Sequence, residues 1–427
     1  MYAKTLSVII QKDNHCVYEL LSGIKQGLPL SPFLFIFYIN DIFDFFYELY
    51  SNAPNADEIL DKLHILIHAD DANILSSSRS LLVKKIHGMI QYCKENKIML
   101  QLTKCMFIVI NGSEKDKEMI PFDEELIPST SEVLVLGSWL SELGSLQQDL
   151  SLHLKYRFKN CIKYFNFIRS NRYAPIAVKL NVLCSCVTMA LLHGCEAFGP
   201  ELPKGLEVLY YKLIKSALNV RPSTPNRIVL LESGMLPIQA LVYKRQLNFY
   251  RRLQKSMERT SVRRLVFDML HMPANLTNFM QHYITLDEKY ADPNEIYTEA
   301  IRNIKSDIQR KANQPDKHYK FHIYSKINPD LLPSPFLTCP NADAITRFRC
   351  GSHHLPIETL RWARVLRVNR LCARCHVLGD EYHFIFHCAD FPGYFRDCNN
   401  DLGVIWKHKD VFRYFSMLSK TDYLKCH

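Results

Sequence analysis

The chain has 427 residues, enough for two or three domains with substantial cores. Apolar residues make up 48% and charged residues 22%, which excludes an intrinsically disordered chain. Against 43 acidic residues stand 53 basic ones, and the formal charge of +10 suits a polyanionic partner such as nucleic acid.

In chain order, residues 1–10 carry one lysine and a short apolar run before Gln11-Lys12-Asp13-Asn14, which does not read as a secretory leader. Residues 31–50 have the aromatic and aliphatic density of a buried helix, entered through Pro32. The most apolar stretch, 28–50, is interrupted by Asn40, Asp41 and Asp44, which a membrane-spanning helix tolerates badly. Two short apolar runs, 63–68 and 72–75, flank a polar tip and predict a hairpin. Residues 80–97 read as an amphipathic helix, and 106–110 as a strand ending at Asn111-Gly112. Mixed elements in this order predict an α+β layer over 1–148. A helical region follows over 149–255, broken at Gly199-Pro200 and at Arg221-Pro222-Ser223-Thr224-Pro225. The connector, 256–335, is more polar and holds one clear helix over 292–312, with Asp292 as its N-cap and Pro293 in its first turn. Pro333, Pro335 and Pro340 mark a last boundary, and 336–427 is rich in Arg, Cys and aromatic residues. The 14 cysteines read as reduced thiols, which predicts a nuclear or cytoplasmic location.

Three patches in the first region carry chemistry. Ser22-Gly23-Ile24-Lys25-Gln26-Gly27-Leu28-Pro29-Leu30-Ser31-Pro32 is a glycine-bracketed loop opening an apolar helix. Gly23 and Gly27 let a backbone approach a ligand, and Gln26 supplies an amide. His68-Ala69-Asp70-Asp71 puts adjacent carboxylates on the hairpin tip, where they repel unless a cation lies between them. Lys104 stands between an apolar helix end and a buried strand. Each has a plainer reading taken alone: a loop before a core helix, aspartates favoured by a turn, a solvated boundary lysine.

Order and spacing together make these patches resemble the palm of reverse transcriptases, most closely the non-LTR retrotransposon (LINE-type) branch. Leu136-Gly137-Ser138-Trp139-Leu140-Ser141 resembles that family's primer-gripping turn, with Gly137 at its centre. The resemblance implies that Asp70 and Asp71 bind magnesium ions and that Lys104 lies near the leaving pyrophosphate. It also implies that Gln26, Gly27, Pro29 and His68 shape the pocket for template base and incoming deoxynucleoside triphosphate. Two positions depart from the family: His68 replaces Tyr or Phe, and Gln101 replaces Asn. The family's further palm aspartate finds no counterpart upstream of Ser22, where Asp13 and Glu19 do not fit. The expectation is an incomplete palm, truncated at its N-terminus, that does not extend a primer by itself.

Beyond the turn, Leu192-His193-Gly194-Cys195-Glu196 and the helices around it look like a thumb. Its last helix carries Arg251 and Arg252 among apolar residues, a pattern able to follow a phosphate backbone. Arg361, Arg364 and Arg367 belong to the densest basic stretch of the chain. Cys372, Cys375, His383 and Cys388 have the spacing C-x2-C-x7-H-x4-C, which can converge tetrahedrally on zinc, with His376, His387 and Cys398 as competing ligands. The tail resembles the zinc-knuckle region of such elements, which holds RNA template or DNA target. The expected protein is thus an RNA-directed DNA polymerase fragment using magnesium and zinc, partnered by RNA template and DNA primer and not by membrane. The alternative is a non-catalytic RNA- or DNA-binding relic of such an element.

Overall fold

The computed structural model describes residues 5–11, 14–20, 29–50, 64–122, 125–255, 266–267, 278–339, 341–391 and 393–423. They divide into two compact units, 1–133 and 134–427. No helix among the described residues is long and apolar enough to cross a membrane.

The first unit opens with strands β1 (Thr5–Gln11) and β2 (Asn14–Leu20), an antiparallel pair. Helices α1 (Ser31–Tyr38) and α2 (Ile42–Tyr50) follow, then the antiparallel hairpin of β3 (Ile65–His68) and β4 (Asp71–Ile74) and helix α3 (Arg79–Glu95). The single buried helix expected over 31–50 is therefore two, and α1 buries none of its side chains. Phe33 is 71% exposed and Phe37 74%. The break falls at Asn40-Asp41, residue types whose side chains compete for backbone groups. Here the Asp41 carboxylate accepts a 2.5 Å hydrogen bond from the Tyr92 hydroxyl of α3, and burial together with that carboxylate raises the phenol's pKa.

Helix α3 organises the unit. Its N-terminus is capped by Ser78, whose hydroxyl accepts from the Leu81 N–H. One part of it packs Tyr92 and Cys93 with Ile42 and Phe46 of α2 and Ile65 of β3. Another packs Ile90 with Phe107, Ile120, Phe122 and Ile127. Gly88 gives α2 room: a Cβ there would lie 2.4 Å from the Tyr50 hydroxyl, which donates to the Lys84 carbonyl at 2.7 Å. The buried Lys85 ammonium donates to the Leu75 carbonyl just past β4, fixing hairpin to helix.

The strand expected over 106–110 shrinks to one parallel bridge between Phe107 and Ser129. Phe107 N–H donates to the Pro128 carbonyl and Thr130 N–H returns to Phe107. The ladder stops there for two local reasons. Pro128 has no N–H to donate backwards, and the Glu132 N–H turns to the Thr130 hydroxyl.

The second unit is helical and is built on two cores. The first draws residues from Leu150 to Cys350, so helices from the 149–255 and 256–335 stretches share one interior. Its frame includes the helices Leu146–Ser170, Leu206–Ala217, Asn226–Ser233, Ile238–Gln254, Glu295–Ala312 and Pro315–Ile327. The second gathers residues from Ile323 to Leu418, including the helices Ala342–Arg349 and Val411–Leu418.

A buried ion pair ties the two. Arg349 meets Glu232 through two bonds, Nε to Oε1 at 2.7 Å and Nη2 to Oε2 at 3.1 Å. The Tyr324 hydroxyl donates to Glu232 Oε2 at 3.0 Å, and the guanidinium lies 5.0 Å from the Trp406 ring. Removing one partner strands a buried charge, so Arg349→Leu is expected to cost ~3–5 kcal/mol in urea denaturation, and adding Glu232→Leu should recover much of it. An Arg349→Leu midpoint equal to wild type would refute this role.

Candidate functional site

The acidic pair sits at the end of the β3–β4 hairpin. His68 pairs with Asp71 as the last rung, leaving Ala69 and Asp70 as a two-residue turn, and Ala69 adopts the left-handed φ of 54° that such turns require. His68, Asp70 and Asp71 are all exposed. Ile65, Ile67 and Ile74 hold the hairpin onto α2 and α3, so the carboxylates project from a packed base. Lys104 ends a single 3-10 turn, Leu102–Lys104, and is also exposed. Pro29 is exposed just ahead of α1, while Gln26 and Gly27 lie outside the described residues.

In the second unit the turn before strand Ser138–Ser141 is held from behind. Leu136 and Gly137 both take left-handed φ values, 47° and 83°. Arg157 donates to the Gly137 carbonyl at 2.5 Å, and His193 Nε2 bonds the Leu136 carbonyl at 2.7 Å. Trp139 stacks on Tyr156 at 3.7 Å. The motif around His193 drew attention in the sequence, whereas nothing there marked Arg157 as its companion.

The thiol–imidazole cluster is the most closely gathered group. Ligand atoms of Cys372, Cys375, His383 and Cys388 lie within 4.8 Å of one another, with all but Cys375 buried. The first two sit on a tight knuckle: Cys372 N–H donates to Val377 O at 2.7 Å, His376 N–H returns to Cys372 O at 2.9 Å, and His376 is left-handed. The other two flank a π-turn, His383–His387, closed by Cys388 N–H on the His383 carbonyl. That widened turn turns His383 inward, while neither His387, His376 nor Cys398 belongs to the cluster.

The donor set fits a soft divalent cation. Buried His383 Nε2 has no hydrogen-bond partner among the described residues, and burial lowers the imidazole pKa, which favours the neutral ligand form. Burial also pushes the Cys388 thiol up to about 12, a state that a bound cation would reverse. The Ala389 N–H already points at Cys375 Sγ from 3.4 Å.

The basic residues divide by what they touch. Arg251 is committed inside the fold: to Asp287 at 2.7 Å and to the carbonyls of Ala291 and Tyr290. Arg252 and Arg364 are exposed. Arg361 lies 3.3 Å from Glu358, and Arg367 stacks on Tyr319.

With the acidic turn placed, comparison with known families bears on it directly. Residues 2–140 match the model of the family described as reverse transcriptase (RNA-dependent DNA polymerase). No curated protein and no solved structure matches the chain. The reverse-transcriptase-like segment contains the β3–β4 hairpin, Lys104 and Gly137, and it stops before the helical region and the thiol cluster. A family of this kind works on nucleic acid template and primer with divalent metal.

The turn at 136–137 allows a direct test. A Cβ at Gly137 would lie 2.8 Å from His193 Nε2 and 3.0 Å from Arg157 Nη2, besides the left-handed backbone. Gly137→Ala is expected to destabilise the second unit by about 1–3 kcal/mol, read by thermal or chemical denaturation. An unchanged melting curve would show that the turn does not depend on these two contacts.

Proposed function

We propose that this chain is part of an RNA-directed DNA polymerase of the non-LTR retrotransposon type, with a zinc-bearing tail that holds nucleic acid. The observation that carries the reading is the Asp70-Asp71 pair at an exposed hairpin turn inside a segment matching the reverse transcriptase family. Magnesium ions, when bound there, activate the primer hydroxyl and offset charge on the triphosphate. Asp70 and Asp71 supply oxygen ligands, and rigid packing of β3 and β4 keeps them in place. Lys104 donates a proton or a charge to the leaving pyrophosphate. Gln26, Gly27, Pro29 and His68 shape the pocket for the template base and nucleotide, and the Leu136–Gly137 turn bears on the primer end. Arg252, Arg361, Arg364 and Arg367 face phosphates.

Among the described residues no third ligand gathers with Asp70 and Asp71, and two carboxylates hold magnesium weakly because the ion takes near-octahedral oxygen coordination. The chain by itself is therefore expected to bind a primed RNA template, with affinity falling as salt rises, and to add no nucleotides. Extension that disappears in Asp70→Ala would show that these residues contain a sufficient metal centre. Failure to bind primed RNA at low salt would overturn the reading entirely. Binding without extension, even when a further carboxylate is supplied by a longer chain, would favour the non-catalytic nucleic-acid-binding relic.

Zinc is the proposed metal of the thiol cluster, on its three thiols and one imidazole. Elemental analysis is expected to find one equivalent per chain, lost in Cys375→Ser and kept in His387→Ala. Metal-free protein prepared with a chelator should lose cooperative melting of the C-terminal core. A wild-type melting curve in the absence of metal would dispose of the assignment.

A further inference from the structure

Away from the acidic turn and the thiol cluster, a cleft of about 360 Å³ opens between the helix Pro315–Ile327 and the segment from Ile357 to Arg370. Its volume is at the small end for ligand clefts. Five cationic side chains line it, Lys317, Lys320, Arg361, Arg367 and Arg370, against two carboxylates, Asp316 and Glu358. Glu358 is already engaged, with Lys320 at 2.9 Å and Arg361 at 3.3 Å. The surplus therefore rests on Arg367, Arg370 and Lys317.

Arg367 and Arg370 are held in place without an ion pair among the described residues, with Asp380 and Glu358 acting on them only at longer range. Arg370 donates to the carbonyls of Val365 and Ile357, each at 3.0 Å. The Arg367 guanidinium lies 4.2 Å from the Tyr319 ring centroid. Neither has a carboxylate within ion-pair distance among the described residues. Backbone carbonyls and a ring orient a guanidinium while leaving its charge available to an anion. Next in the chain after Arg361 stands Trp362, 57% exposed, its ring 5.1 Å from the Arg361 guanidinium that lines the cleft. An exposed indole against one guanidinium of a cleft that also holds Arg367 and Arg370 outside any ion pair combines a stacking face with phosphate contacts, the pairing by which single strands are held. A duplex would offer phosphates but no free base face.

We propose that this cleft binds a single strand of nucleic acid, with backbone phosphate against Arg367 and Arg370 and a base stacked on Trp362. The proposal rests on the nucleic-acid reading above and adds the strandedness, the residues and the contact type. Lys317 extends the phosphate track at the cleft mouth.

The test uses the full, metal-replete chain and a short fluorescent oligouridylate, with blunt RNA duplex and primed RNA template titrated in parallel. Trp362→Ala is expected to weaken oligouridylate binding about fivefold or more, and Trp362→Phe to retain most of it. Arg367→Gln should lower the slope of log affinity against log salt by about 0.7, the value for one phosphate contact on a single strand. Matching melting curves and metal content would exclude misfolding of either variant. Wild-type oligouridylate affinity in both Trp362→Ala and Arg367→Gln overturns the proposal, and so does tighter binding of the duplex. Weakening by Arg367→Gln alone, with Trp362→Ala unaffected, also overturns it, because the cleft would then be a plain anion site. Loss of primed-template binding while Trp362-dependent oligouridylate binding persists would remove the polymerase reading and leave the cleft standing. The converse result would remove the cleft alone.

Discussion

The second unit depends on one constraint: a carboxylate and a guanidinium, both out of water, satisfy each other between two hydrophobic cores. Burying either charge alone costs several kcal/mol, so the geometry must be met closely or the cores cannot both close. The bidentate pairing, the Tyr324 hydroxyl and the flanking Trp406 ring meet that demand. The C-terminal core is registered on the first through this contact and through the helix Pro315–Ile327, which gives residues to both. It carries the basic cleft, whose walls are the helix Pro315–Ile327 and the segment after Pro356, and the thiol cluster, whose knuckle packs against Pro356 so closely that Gly379 has no room for a Cβ.

The first unit solves a different problem. Two carboxylates in sequence need a support that does not relax when they repel. Helix α3 provides it by packing β3 and α2 on one part of its surface and the 107–127 segment on another. The Lys85 ammonium under Leu75 and the close crossing at Gly88 lock that arrangement. The exposed turn is thus the outer end of a buried framework, and this is how an acidic site stays both rigid and reachable by solvent.

How much of this could be read in advance followed sequence distance. The hairpin, the helix expected over 80–97 and the cysteine–histidine quartet were legible because their signals lie within a few residues: alternation, turn residues, fixed ligand spacing. The α+β reading of the first region agrees with the mixture of helices and short two-stranded sheets. Partners far apart were not legible. Nothing in the composition of α3 indicates that Tyr92 will take Asp41, or that Glu232 awaits Arg349. The basic helix shows the same limit, since charge is visible in sequence and its counterion is not: Arg251 looks free there and is bound to Asp287 in the fold. The strand expected over 106–110 failed on a finer point, the Glu132 N–H turning to the Thr130 hydroxyl, which no hydrophobic pattern records.

The separation of Glu232 from Arg349, 117 residues, also has a meaning in time. At 5–20 residues per second, synthesis of the intervening stretch takes roughly 6–25 s. During that interval the emerging chain holds an acid whose native counterion has not yet been made. The interior around it must stay hydrated until the basic partner leaves the ribosome. The helical region therefore completes its packing only after translation has passed Arg349, and a nascent chain paused short of that point would present an unfinished surface to chaperones.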